Sequence, residues 1–157
     1  MYVAVVGAGE ATEEELAVAE EVGARLAATG AVLVTGGLGG VMEAASRGAA
    51  QAGGSAVGLL PGLDRSQANP WATIALPTGL GELRNGLVVR AADAVIAIGG
   101  AYGTLSEIAL ALKAGKPVVG VGSWAIDGVG SAGDAEEAVA AALAARGGSG
   151  PRDSSAA

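Results

Sequence analysis

The sequence predicts an α/β protein built on a single Rossmann-like, doubly wound parallel sheet with helices on both faces. Short apolar runs alternate with longer helical segments, an order that is typical of parallel sheets. The apolar runs are nearly continuous, as expected of strands that helices cover on both faces. Because no linker separates two halves, we expect one domain over residues 1–146, followed by a disordered tail over residues 147–157.

Six apolar runs are predicted to form strands. Pro61 stops the third run, and the fourth follows a polar loop over residues 62–70. The predicted strands span residues 2–6, 31–35, 56–60, 71–76, 94–98 and 117–121.

Five segments are predicted to be helical. The first helix opens with a capping box that begins at Thr12, and Gly30 ends this helix. The second helix ends at Gly53. In a doubly wound sheet, ligands bind at the carboxyl ends of the strands, so we expect the candidate site residues there. The predicted helices span residues 12–29, 40–52, 81–92, 104–114 and 134–146.

Composition excludes several kinds of chemistry. The 157 residues include no Cys and no His, which removes disulfides, Cys/His zinc sites, thiolate catalysis and a histidine base; we expect no metal site. A formal net charge of −7 disfavours nucleic acid as the main partner, because a phosphate backbone requires a basic surface. Glycines interrupt the longest uncharged run, residues 26–42, so we expect no membrane span and a cytoplasmic protein.

A unit made of a strand, a Gly-Gly-x-x-Gly turn and a helix occurs twice. The sequence AVLVTGGLGGVMEA, from Ala31, aligns with AVIAIGGAYGTLSE, from Ala94. Glycines allow positive φ and the close approach of an oxyanion, and the amides of a helix N-terminus favour negative charge. The turns therefore predict phosphate binding, although tight turns and close packing explain the glycines equally well. The repeated glycines are Gly36, Gly37 and Gly40, and Gly99, Gly100 and Gly103.

Two common nucleotide-binding motifs do not fit the sequence. The turn after the first strand, residues 7–12, reads GAGEAT instead of G-x-G-x-x-G, and the second strand ends without a carboxylate, so NAD binding is disfavoured. No Walker A sequence is present, which leaves an ATPase without support.

Arg84 and Glu107 are the candidate catalytic residues. Glu107 ends the sequence TLSE, whose spacing is that of a capping box; alternatively, its carboxylate faces a cationic centre beside the phosphate site. Arg84 lies near the start of a predicted helix, and it either reaches the ligand or pairs with a carboxylate such as Asp93.

Further candidates surround these two residues. Tyr102 either covers a base or ribose or is an exposed loop tyrosine. Glu43 either caps its helix or touches the ligand ribose, and Arg90 either supports the site or pairs with a carboxylate. The remaining candidates are Met42 and Thr104 for ligand binding, and Gly7 and Asn85 for support.

Together these motifs resemble those of the Lonely Guy superfamily, over residues 5–145. Residues 98–107 are similar to its P-G-G-x-G-T-x-x-E hallmark, with Ile98 in place of the proline, and residues 36–42 match its G-G-x-x-G-x-M segment. Arg84 and Asp93 keep the superfamily's nine-residue spacing. The altered proline, the sequence GELRN in place of M-H-E-R-K and the short chain are closer to a sister branch that resembles molybdenum cofactor carrier proteins.

The resemblance implies two alternative functions for a nucleotide-binding domain over residues 1–146. Superfamily hydrolases cleave nucleoside 5′-monophosphates to free base and ribose 5-phosphate. In that activity, residues 99–104 would hold the phosphate, Glu107 would face the anomeric carbon and Arg84 would complete the site. The alternative is a non-catalytic carrier or sensor of a phosphorylated ligand such as molybdenum cofactor. Neither function requires a further cofactor.

One apolar helix predicts self-association. Residues 105–114 are apolar on nearly every side, whereas a helix that covers one face of a sheet should have a polar side. We therefore expect its outer face to pack on a second subunit in a homodimer or higher homo-oligomer, as the resemblance also implies.

Overall fold

The computed structural model describes residues 1–145, which form one seven-stranded sheet with five α-helices. The strands are β1 (Tyr2–Gly7), β2 (Val32–Thr35), β3 (Ala56–Leu60), β4 (Ile74–Pro77), β5 (Ala94–Ile98), β6 (Val118–Val121) and β7 (Val129–Ala132). The helices are α1 (Glu13–Ala28), α2 (Val41–Gln51), α3 (Arg84–Ala91), α4 (Tyr102–Lys113) and α5 (Ala135–Ala144). None of these helices has the length and apolar character needed to cross a bilayer.

All seven strands are parallel, in the order β4-β3-β2-β1-β5-β6-β7. The chain fills one half of the sheet from β1 to β4 and the other from β5 to β7, which confirms the doubly wound prediction. The direction in which strands are added to the sheet reverses where β5 pairs with the free side of β1. This pairing aligns Val3 with Ala94 and Gly7 with Ile98. The loops after these two strands diverge, and such a switch point opens a crevice at the carboxyl edge of a sheet.

Helices cover both faces of the sheet, as predicted. Successive residues of β1 point to opposite faces: Val3 and Val5 belong to a core with α1, α2 and α5, whereas Ala4 and Val6 belong to a core with α3 and α4. Because both faces of the central strands are buried, these strands appear in the sequence as continuous apolar runs.

Two strands differ from the prediction. The prediction misses β7, because this edge strand has the sequence VGSA and exposes its two central residues. β4 begins at Ile74, three residues later than predicted. The reason is a turn at Asn69, whose side-chain oxygen accepts hydrogen bonds from the N–H groups of Trp71 and Ala72.

Two helix starts also differ from the prediction. α3 begins at Arg84, because Gly81–Leu83 forms a 3-10 turn. α4 begins at Tyr102 with Ala101 as its N-cap, so Thr104 lies within the first turn instead of starting the helix. The end of the predicted last helix, Arg146, and the predicted tail lie outside the described residues.

Glycines bring α1 and α2 into backbone contact. A Cβ added to Gly48 of α2 would collide with the backbone carbonyl of Glu20, and a Cβ added to Gly23 of α1 would collide with that of Ala45. Close approach of the two helices therefore depends on the absence of side chains at both positions.

Gly48→Ala is expected to lower the free energy of unfolding by about 1–3 kcal/mol, because its methyl group meets a main-chain carbonyl that cannot rotate away. Urea unfolding measures the change. Gly86→Ala in α3 is the matched control, since its Cβ would meet nothing within 4 Å. Removing a helical glycine there should stabilise the protein by up to about 1 kcal/mol. Equal stabilisation of both variants would contradict the contact.

Candidate functional site

A cleft of about 460 Å³ lies at the carboxyl edge of the sheet, next to the switch point. Loops after β1, β2, β3 and β5 contribute to it, together with the first turns of α2, α3 and α4. Its lining residues are Gly7, Ala8, Gly9, Leu38, Met42, Pro61, Gly81, Glu82, Arg84, Asn85, Ala101, Gly103, Thr104 and Glu107.

Arg84 enters the cleft from the start of α3 and is held by backbone carbonyls. Its Nη1 donates hydrogen bonds to the carbonyl oxygens of Gly36 and of Leu59, the latter at 2.7 Å. A Cβ on Gly36 would collide with this guanidinium, so the glycine is needed for its close approach. Arg84 is only 8% exposed, and its Nε has no hydrogen-bond partner among residues 1–145. Burial lowers the pKa of Arg84, and the charge of Glu107 partly offsets this effect.

Glu107 lies in α4 and is 7% exposed. Burial raises the pKa of its carboxyl to about 7, although the positive charge of Arg84 acts in the opposite direction. Within residues 1–145 this carboxyl accepts no hydrogen bond and has no cation within 4.0 Å. The capping-box interpretation is wrong, because α4 begins five residues before Glu107.

The first turn of α4 has no side-chain cap. Its N-cap residue, Ala101, has no side chain that could accept a hydrogen bond from the N–H groups of the turn, in contrast to Thr12 of α1 and Asp134 of α5. Thr104 lies in this turn and is 2% exposed, and its hydroxyl group has no hydrogen-bond partner in the described part of the chain. The amides and the hydroxyl group are suited to an anion.

The first glycine turn, by contrast, is used inside the fold. Gly40 has a φ of +64°, and a Cβ there would collide with the carbonyl oxygen of Ala8. The same carbonyl accepts the first N–H of α2, from Val41, at 3.1 Å. Gly37 (φ +75°) packs against Leu60 and Gly58. None of Gly36, Gly37 and Gly40 lines the cleft.

The second turn contributes Ala101 and only the last of its three glycines to the cleft. A Cβ on Gly99 would collide with the carboxylate of Glu15, and one on Gly100 would lie 2.8 Å from Nε1 of Trp124. Tyr102 turns its ring onto Trp124, with 6.5 Å between ring centroids, and is not among the lining residues. Gly103 is the repeated glycine that borders the cleft.

The supporting candidates separate into two groups. Gly7, Met42 and Asn85 line the cleft, and Asn85 donates a hydrogen bond to the hydroxyl oxygen of Ser106 at 3.1 Å. Glu43 instead lies in a neighbouring hollow, which meets the cleft at Gly9.

Neither arginine pairs with Asp93. The Asp93 carboxylate accepts a hydrogen bond from the backbone N–H of Tyr2 at 2.8 Å and forms no ion pair with Arg84 or Arg90 within 4.0 Å. Arg90 is exposed and lies away from the cleft.

Several residues that line the cleft were not predicted from the sequence. Ala8 and Pro61 directly follow β1 and β3, so the rule that ligands bind at the carboxyl ends of strands is the signal that could have found them. Leu38, Glu82 and Ala101 carry no comparable signal, because their place in the cleft depends on how separate loops meet.

Two solved structures superpose closely on this chain. The chain is 39% identical to the molybdenum cofactor binding protein of the phototrophic bacterium Rippkaea orientalis, with a TM-score of 0.85 over 88% of this chain and 93% of that one. It is 34% identical to the molybdenum cofactor carrier protein of Chlamydomonas reinhardtii, with a TM-score of 0.86 over 93% and 98%. An uncharacterized protein of Archaeoglobus fulgidus is 48% identical over 118 residues, which are 75% of this chain and 78% of that protein.

The model of the SLOG cluster4 family matches residues 1–146. This range contains all seven strands, all five helices and the complete lining of the cleft. The chain therefore belongs to the SLOG cluster4 family.

Proposed function

We propose that this protein binds and carries a small phosphorylated ligand of the molybdenum-cofactor kind, without turning it over. One observation carries the proposal: the Nε of Arg84, the hydroxyl group of Thr104 and the carboxyl of Glu107 meet at one cleft, and none has a hydrogen-bond partner within residues 1–145. The likeness to a molybdenum cofactor binding protein and a molybdenum cofactor carrier protein supports the class of ligand.

Unpartnered buried groups cost free energy. Each buried donor or acceptor without a hydrogen bond costs about 1–3 kcal/mol, so native proteins keep few of them. A ligand that supplies the missing acceptors recovers this cost on binding. Two of the three groups, Arg84 Nε and the Thr104 hydroxyl, donate hydrogen bonds, which matches the acceptor oxygens of a phosphate.

The residues present are compatible with a phosphorylated heterocycle. The uncapped first turn of α4, with Gly103 and Thr104, would hold the phosphate, and Arg84 would supply the positive charge. Apolar surface from Leu38, Met42 and Pro61 would contact the ring system. A cleft of about 460 Å³ has the size of a typical small-molecule site.

Hydrolysis of a nucleoside 5′-monophosphate is the second candidate, because Arg84 and Glu107 line the cleft together. That chemistry requires an ionised carboxylate to stabilise the positive charge that develops on the sugar. With a pKa of about 7, a large share of Glu107 is neutral at neutral pH. The likeness to molybdenum cofactor binding and carrier proteins favours binding over turnover.

We also propose that two copies associate through the outer surface of α3 and α4, called here the α3/α4 surface. It exposes Leu83 and Tyr102 by 80% and 84%, together with Leu87 and Leu110. α4 turns Ile108 into the core, so only part of its apolar surface remains outside. A continuous apolar patch of this kind is typical of protein contacts.

The α3/α4 surface is continuous with the cleft. A hollow on this surface, lined by Leu83, Tyr102 and Leu110, shares Asn85 and Gly103 with the cleft. A second copy seated there would border the ligand.

Thr104→Val is expected to weaken binding of molybdenum cofactor about 10- to 100-fold, because it removes a hydroxyl group that bonds the charged phosphate. The pterin that stays with the protein on a desalting column, read by fluorescence after oxidation, measures binding. The ligand-free variant should be as stable as the wild type, because the hydroxyl group has no partner to lose. Unchanged binding together with reduced stability would assign Thr104 a purely structural role.

Incubation of the full chain with AMP is expected to release no adenine above a protein-free control, whereas molybdenum cofactor should raise the melting temperature. Chromatography of the products and a thermal shift assay measure the two effects. Adenine release by the wild type that Glu107→Gln and Arg84→Ala abolish would establish hydrolysis and refute the carrier proposal.

Leu110→Glu is expected to convert a dimer into monomers, because it introduces a charge into the α3/α4 surface. Light scattering coupled to gel filtration gives the mass. Leu63→Glu, in the loop between β3 and β4, is the matched control and should leave the mass unchanged. A wild-type chain that is monomeric at micromolar concentration would contradict this assembly.

A further inference from the structure

Glu107 is a buried carboxyl that borders the proposed site for an anion. It lines the cleft, with no hydrogen bond or ion pair to another residue within 1–145. Thr104 lies three residues earlier on the same side of α4, so an anion at the first turn of this helix would lie beside the carboxyl.

None of the described charged groups around Glu107 forms an ion pair with its carboxyl. Arg84 of α3 is the one cation among the described residues that line the cleft, but its Nη1 donates to two backbone carbonyls. Glu82, in the 3-10 turn before α3, lines the same cleft, and Glu15 of α1 lies against Gly99. An ionised Glu107 and an anionic ligand would therefore compete for a single guanidinium.

We propose that Glu107 meets the anionic group of the ligand as a neutral carboxylic acid that donates its O–H, so that ligand binding takes up one proton from solvent. The inference rests on the proposed function, because it requires an anion at the first turn of α4. It makes Glu107 a determinant of specificity for anions, instead of the partner of a cationic sugar.

The ionised and the neutral form of the Glu107 carboxyl interact differently with an adjacent anion. The ionised form would repel an adjacent anion in a partly desolvated cleft, where such repulsion is stronger than in water. The neutral form can donate a hydrogen bond to the same anion, and such charge-assisted bonds are the stronger kind. The neutral form is also accessible, since burial already raises the pKa of Glu107 to about 7.

The direction of the pH dependence follows from this difference. In the free protein Glu107 loses its proton above about pH 7, whereas in the complex it keeps the proton to higher pH. Ligand affinity is therefore constant below about pH 7 and falls above it, by up to about tenfold per pH unit.

Sulfate is a suitable probe, because its charge does not change over the neutral range. We expect its dissociation constant for the full chain to rise about tenfold or more between a pH about one unit below 7 and one about two units above it. The NMR signals of the carbon-bound protons of Gly103 and Thr104, which do not exchange with water, report binding at constant ionic strength.

Two variants identify the group responsible. Glu107→Gln carries a neutral N–H donor at every pH, so it should bind sulfate equally well at both pH values. Glu14→Gln removes one negative charge from the exposed first turn of α1 and should keep the wild-type pH dependence.

The outcomes separate this inference from the proposed function. A wild-type affinity for sulfate that does not change with pH, or a pH dependence that persists in Glu107→Gln, overturns the role of Glu107 and leaves the anion site in place. Signals of Gly103 and Thr104 that do not respond to sulfate at either pH remove the anion site itself, and the carrier proposal with it.

Discussion

The hydrogen bonds of Arg84 to two backbone carbonyls organise the cleft. Gly36 directly follows β2 and Leu59 lies in β3, so one guanidinium joins the start of α3 to the ends of two strands. These contacts hold a positive charge at the carboxyl edge of the sheet, while Nε has no partner among the residues that the structure describes. They also explain why Glu107 forms no ion pair within residues 1–145, since the nearby guanidinium is held by main-chain oxygens. The burial of both groups, and the raised pKa of the carboxyl, follow from this arrangement.

The two glycine turns have the same local pattern but different surroundings. In the first turn, Gly40 permits the carbonyl of Ala8 to approach and accept an N–H of α2, so protein atoms occupy the place that a ligand oxygen would take. In the second turn, the glycines accommodate Glu15 and Trp124, and the first turn of α4 carries no side-chain cap. The first copy of the motif therefore forms contacts inside the fold, whereas the second precedes a helix N-terminus without a side-chain cap, because each copy has different neighbours.

The donor groups around the cleft are suited to holding an anion. The cleft offers amide, hydroxyl and guanidinium donors, and its carboxyl is neutral in a large share of molecules at neutral pH. The likeness to molybdenum cofactor binding and carrier proteins supports the proposed binding role. A carrier needs tight, reversible contacts, and a carboxyl whose protonation accompanies binding would make those contacts sensitive to pH.

The sequence by itself determined the doubly wound sheet, because strands buried on both faces leave continuous apolar runs and helices leave caps and glycine stops. It also singled out Arg84, Thr104 and Glu107 through a repeat and a resemblance. Only the tertiary structure decided that the first glycine turn is closed by Ala8 and that Tyr102 faces Trp124 instead of the cleft. It likewise decided that β7 pairs at the sheet edge despite its weak apolar pattern. These outcomes depend on contacts between segments that are distant in the chain, and the local periodicity of the sequence does not determine the energies of such contacts.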